Sequence, residues 1–266
     1  MRCALLLLVS VAASVAATPL EQAYRSMYNL DFAGARRILA QYETAHPEDP
    51  MGPVSEAAAH LFGEFDRLRI LQSEFFTEDD SFFRREKGLV PDAGAQKMFN
   101  AARGRTEKAV AAALQRNPDD ENALLARLLG IGLHADYMAF IEKRNLAALA
   151  EVKQSRSLAE SLIGRHPQNY DAYLAVGVEN YMLSLKPAAV RWLLRMGGAE
   201  TDRQNGIDRL RITASKGHYL LPYARLLLAV AALRAHDYAG ARETLTWLST
   251  EFPNNRLYRE ELAKIK

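Results

Sequence analysis

The chain has 266 residues, a formal net charge of +2 and 49% hydrophobic residues, which suffices for one large core or an extended repeat array. Its 34 basic and 32 acidic residues nearly cancel, so electrostatics gives no reason to expect a nucleic-acid partner. The only cysteine is Cys3; a chain that loses its first residues therefore has no disulfide, no thiol catalysis and no cysteine-based metal site.

The first residues read as a secretory signal peptide. Arg2 supplies the positive start, residues 4–13 are almost wholly apolar, and Val15-Ala16-Ala17 ends in small residues, with cleavage expected after Ala17. The apolar run is short for a membrane span, although an uncleaved anchor is the alternative. Cys3 lies before the run and is not placed to carry a lipoprotein's lipid. Removal of Arg2 leaves a net charge of +1 in place of +2. There is no Asn-x-Ser/Thr sequon, which fits a periplasmic or secreted bacterial protein, with no integral span after cleavage.

From there every strong pattern has a helical period, and none alternates with a period of two. Residues 20–46 predict a helix pair split at Asn29–Phe32, closed by the turn His46-Pro47-Glu48-Asp49-Pro50. Ala58, Leu61, Phe62, Phe65, Leu68 and Leu71 predict one long amphipathic helix over 53–78. Residues 73–94 form an irregular insertion: Phe75-Phe76 and Phe82-Phe83 flank Glu78-Asp79-Asp80, and Gly88, Pro91 and Gly94 follow. It reads either as a flap over a groove or as a plug at one end of the core.

Asp92 is expected to cap a helix over 93–116, and Asn117-Pro118 ends it. The next helix starts at Asp119–Asn122, with Gly130 and Gly132 allowing close backbone contact or a kink. Residues 145–165 make its partner, and Asn169 caps 170–185. Pro187 to Ala199 predicts a short helix carrying Trp192 and Met196, with Arg191 and Arg195 on one side; burial of Trp192 in the core is expected over attachment to a membrane surface. Helices over 203–216, 220–235 and 238–251 follow, and 255–265 looks like a terminal cap. The fold class expected is all-α, about twelve helices stacked in pairs as one domain over 18–266.

One hexapeptide occurs twice. Asp31-Phe32-Ala33-Gly34-Ala35-Arg36 recurs as Asp237-Tyr238-Ala239-Gly240-Ala241-Arg242, and each Asp is followed sixteen residues later by a proline, Pro47 and Pro253. Ala35 and Leu39, like Ala241 and Leu245, share a helix face on which a small residue lets a second helix come close. The spacing Ala-x3-large apolar…Pro resembles the second helix of the tetratricopeptide repeat. Tyr173, Val176 and Gly177 resemble its first helix, with Asn180 where Tyr is the rule and Tyr181 one place late. The resemblance implies antiparallel helix pairs forming a curved solenoid. Residues 173–253 also look like the helical region of the eukaryotic TTC39/IML2 family and its bacterial relatives. The carriers are Tyr173, Gly177, Tyr181, Leu185, Pro187, Trp192-Leu193-Leu194, Gly198, Asp202-Arg203, Gly206 and Leu210. That likeness implies a non-enzymatic adaptor.

No residue set announces a reaction. The six histidines have no His-x-x-x-His spacing, and nucleotide loops and the nucleophile elbow Gly-x-Ser-x-Gly are absent from the sequence. No catalytic residue, metal site or cofactor is expected. The candidate partner-binding residues are Asp171, Tyr173, Asn180 and Tyr181, on two stripes of one helix, with Tyr223 and Arg225 near the same surface; tyrosine and arginine suit a protein-binding face. The same tyrosines also suit packing between repeats. Two readings result: an exported scaffold holding a peptide or partner protein in the curve of its helices, or a small-molecule-binding component or weak hydrolase with an enclosed pocket.

Overall fold

The computed structural model describes residues 16–72, 90–184 and 202–265, with no side-chain description for 182–184. Among them there are eleven helices and no strand. They are α1 (Pro19–Tyr28), α2 (Phe32–Ala45), α3 (Met51–Arg67), α4 (Ala93–Arg116), α5 (Glu121–Phe140), α6 (Asn145–Arg165), α7 (Tyr173–Ser184), α8 (Arg203–Lys216), α9 (Leu221–Arg234), α10 (Tyr238–Glu251) and α11 (Arg256–Lys264). Consecutive helices pack, giving the stacked pairs α1/α2, α3/α4, α5/α6, α7/α8 and α9/α10, with α11 against α10. The all-α architecture of packed helix pairs is as the periodicity predicts.

The pairs are joined by one turn used four times. In His46–Asp49, Asn117–Asp120, His166–Asn169 and Phe252–Asn255 the fourth N–H donates to the first carbonyl at 2.9–3.1 Å, with proline second. The fourth residue then turns its side-chain oxygen onto the next segment: Asp49 to Met51 N (2.9 Å), Asp120 to Ala123 N (2.9 Å), Asn169 to Ala172 N (3.2 Å) and Asn255 to Leu257 N (3.0 Å). Proline presets the turn and Asp or Asn starts the next helix.

The repeated hexapeptide adopts one conformation in both copies. Leu30 and His236, just before each Asp, have φ of 63° and 59°. The Asp31 N–H reaches back to Ser26 O and the Asp237 N–H to Ala232 O, both at 2.9 Å, closing the preceding helix with a left-handed residue. Each Asp then caps the following helix, at 2.7 Å to Gly34 N and 3.0 Å to Gly240 N. The repeated glycine is a consequence of that cap. A Cβ on Gly34 would stand 2.0 Å from Asp31 Oδ2, and one on Gly240 2.5 Å from Asp237 Oδ2.

Ala35 and Ala241 are fully buried where the neighbouring helix crosses. We expect Ala241→Leu to lower the unfolding free energy by about 1–3 kcal/mol through overpacking. A denaturation midpoint equal to that of the wild type would refute the close helix contact.

The expected helix over 53–78 ends earlier, at Arg67: Arg69 takes φ of 58°, and Ile70 N bonds Phe65 O at 2.8 Å. α3 is the central helix, with eleven of its seventeen residues buried, including Met51, Leu61 and Phe65. α5 runs unbroken through Gly130 and Gly132, and no described residue's backbone approaches either closely. Residues 1–15 of the expected signal peptide, residues 73–89 of the expected insertion over 73–94, and the Trp192 helix lie outside the described residues.

The two ends of the array meet. Arg25 pairs with Glu251 at 2.5 Å, and the Tyr28 hydroxyl donates to Tyr219 O at 2.8 Å. Asn255 Nδ2 donates to Tyr28 O at 2.8 Å, Arg256 pairs with Asp66 at 2.6 Å, and the Tyr24 and Tyr219 rings stack at 4.8 Å. The curve of the stacked pairs is therefore carried round until α1 and α3 touch the last two units.

Candidate functional site

The expected groove residues separate into three environments. Asp171 is buried, and its carboxylate accepts from three backbone N–H groups: His218 (2.9 Å), Tyr219 (2.9 Å) and Leu220 (3.1 Å). The sequence offers no clue to this role, but the turn chemistry explains it. The step from α8 to α9 runs Gly217-His218-Tyr219-Leu220, and Leu220 brings no oxygen where the other turns have Asp or Asn. Asp171 reaches over from the turn before α7 and supplies it. Burial pushes its acid strength down, and the three N–H bonds work against that shift. Gly217 leaves the room: a Cβ there would stand 2.7 Å from Asp171 Oδ1.

Asn180 and Tyr181 are buried on α7, beside a close crossing of α7 and α8. A Cβ on Gly206 of α8 would lie 2.6 Å from Tyr181 N, and one on Gly177 of α7 3.0 Å from Leu210. Tyr173 is half-buried, with the Arg209 guanidinium 5.5 Å from its ring. Arg225 lies 3.9 Å from the Trp247 ring and donates to Ala214 O at 3.1 Å. The six residues therefore do not form one open surface; Asp171, Asn180 and Tyr181 are internal.

Tyr223 belongs to a different constellation. Its ring meets Phe62 edge-on at 5.8 Å, Phe62 meets Phe65 at 5.7 Å, and Phe65 meets Phe140 at 5.6 Å. This relay of rings runs from α9 across α3 to α5. One turn before Phe140, on the same face of α5, stands Asp136, and one turn before that Gly132. Asp136 is half-buried. The same holds for Tyr223.

Among the described residues Asp136 has no hydrogen-bond or ion-pair partner. Burial alone pushes its carboxyl up to about 7. Burial likewise drives the Tyr223 phenol far up, and the charge of Asp136 adds to the effect. Of the described residues none comes within 4 Å of a Cβ built on Gly132. The sequence carries one hint of this site: an Asp on the largely apolar helix Glu121–Phe140, which is long and apolar enough to cross a membrane by length and composition and is half buried in the array.

A second titratable cluster lies between α2, α3 and α4. Arg105 pairs with Glu56 and, at 3.2 Å, with Glu43, and His60 Nε2 stands 3.5 Å from Glu56. Burial and the neighbouring Glu56 raise Glu43. Burial also acts to raise Glu56, but its bonds to His60 and Glu43 and the charge of Arg105 outweigh that and hold it low. The hollow beside His60 has a volume of about 10 Å³, room for one water molecule and no substrate. The cluster reads as a polar seam between helices.

No known protein family, curated protein or solved structure matches the chain.

Proposed function

We propose that the chain is an exported helical-repeat binding protein of the tetratricopeptide-repeat kind, without catalysis of its own, and that it holds a small organic ligand inside its closed array. One observation carries this reading: the two ends of the array meet through Arg25, Tyr28 and Asn255, which favours an enclosed ligand over a peptide lying in an open curve. The half-buried Asp136 carboxyl, without a partner among the described residues, supports it: binding gives such a group a role that packing does not. Export rests on residues 1–17 and predicts a mature chain that begins at Thr18.

The test is native mass spectrometry of the protein purified from the periplasm under mild conditions. We expect a small-molecule adduct that denaturation releases, and Gly132→Leu, which fills the open side of α5, to abolish it. A bare mass, together with capture of one discrete protein partner, would favour the peptide- or protein-binding scaffold instead.

A further inference from the structure

The last unit, α9–α11, is built as a separate body. It has its own core, with Ala229, Ala241, Leu245, Leu248 and Tyr258 at its centre. A larger core runs through α1 to α7 and takes in Leu220 at the end of the α8–α9 turn. Among the described apolar side chains only Tyr28 packs against both. We propose that α9–α11 swings as one rigid unit on α8, and that the ion pairs Arg25–Glu251 and Arg256–Asp66 are the latch that holds the array closed.

The seam between the two ends is made differently from the other helix contacts. Along the array neighbouring helices pack backbone close to backbone, α9 on α8 included, but no helix of the last unit packs so against α1, α2 or α3. Side chains span the gap instead. Arg25 pairs with Glu251 at 2.5 Å and also donates to Glu251 O at 3.0 Å. Arg256 pairs with Asp66 at 2.6 Å, and the Asn254 N–H donates to Asn29 Oδ1 at 3.1 Å. Both arginines and Glu251 are about half exposed. Ion pairs so open to water hold weakly and are screened by salt. Two ring contacts add to them: Tyr28 meets Phe252 at 5.3 Å, and Phe62 meets Tyr223 at 5.8 Å.

The turn from α8 to α9, by contrast, is tied to the larger body. Asp171 binds three of its N–H groups, the Tyr28 hydroxyl donates to Tyr219 O, and the Tyr219 ring stacks on Tyr24 at 4.8 Å. Movement therefore begins after Leu220. A stack in which each unit packs on its neighbours alone yields first at its end, and here only the latch resists that. For an enclosed ligand the seam is the way in, and that use of it rests on the reading above.

Spin labels measure the movement in the chain from Thr18, which has no cysteine of its own. One pair, Ala40→Cys with Ala263→Cys, spans the seam. A second, Ala235→Cys with Thr250→Cys, lies inside the last unit; all four positions are exposed. Distances are recorded by double electron–electron resonance, without ligand, at low and high salt, with the latch intact and in Arg25→Ala/Arg256→Ala. We expect a second, longer distance across the seam, its share rising about threefold or more when the arginines are removed. High salt should have the same effect on the intact latch and little on the double variant. The distance inside the last unit should stay constant throughout. A seam distance that remains single and short in the double variant overturns the latch. An inner distance that broadens together with the seam distance overturns the rigid swing, because the unit then frays. Since no ligand is present, either failure leaves the enclosed-ligand reading standing, and a protein that carries no adduct leaves the swing standing.

Discussion

Asp171→Ala should be among the most damaging single substitutions in the chain, lowering the unfolding free energy by about 3–5 kcal/mol. The carboxylate satisfies three backbone donors at the start of α9, and the turn has no residue to replace it. Each hydrogen bond to a charged group contributes about 1.5–3 kcal/mol, and a donor left unsatisfied in the interior costs a similar amount. Water admitted by the smaller side chain recovers part of this, so the three terms do not add in full. Asp120→Ala is the internal comparison. Asp120 caps α5 through one N–H at an accessible turn, so its loss should cost about 1 kcal/mol. Urea denaturation of both variants decides the matter. Equal midpoints would mean that Asp171 is an ordinary cap.

Asp136→Asn is expected to work in the other direction: above neutral pH it should stabilise the protein. The folded-state carboxyl titrates at about 7, against about 3.9 for an aspartate in an unfolded chain. Between these values the folded chain binds more protons than the unfolded one. Stability from this group is therefore full below about pH 3.9, declines as pH rises, and is gone once pH passes about 7. Tyr223 stays neutral throughout this range. Asparagine keeps the shape and cannot ionise. At pH 8 it should unfold with about 2 kcal/mol more free energy than the wild type, a figure reduced from the full linkage value because Asp136 retains some solvent access. The gap should close as pH falls to about 4. Chemical denaturation at the two pH values measures it, and a gap that does not change with pH would show that Asp136 is not held in a desolvated place.

Much of the architecture is legible without coordinates because the signals are local. The helix bounds 93–116, 145–165, 203–216 and 238–251 coincide with α4, α6, α8 and α10. Each follows from apolar spacing plus a Pro, Gly or Asp at the boundary, and these act through neighbouring backbone atoms alone. The helix over 53–78 was overextended for the converse reason. Leu68 and Leu71 continue the apolar period, while the left-handed turn at Arg69 is carried by a residue with no turn signature.

The candidate site was far less legible. Tyr223 could be picked out, but its companions Phe62 and Asp136 lie some 90 to 160 residues earlier and share no motif with it. Asp171 carries the same stripe pattern as a groove residue, and only the neighbouring α8–α9 turn, which lacks an oxygen of its own, turns it inward. A stripe on a helix shows that two faces exist and not which one meets the protein.

By itself, the sequence determined the helical class, the pairing of helices and the chemistry of each turn, because proline, aspartate and glycine bias dihedral angles and backbone hydrogen bonds within a few residues. Only the tertiary structure decided that the first and last units meet through Arg25, Tyr28 and Asn255, that Asp171 serves α9, and that Asp136 is left without a partner among the described residues. These depend on the rotation accumulated from pair to pair. Small packing angles sum over five pairs into closure, and no local residue pattern encodes that sum.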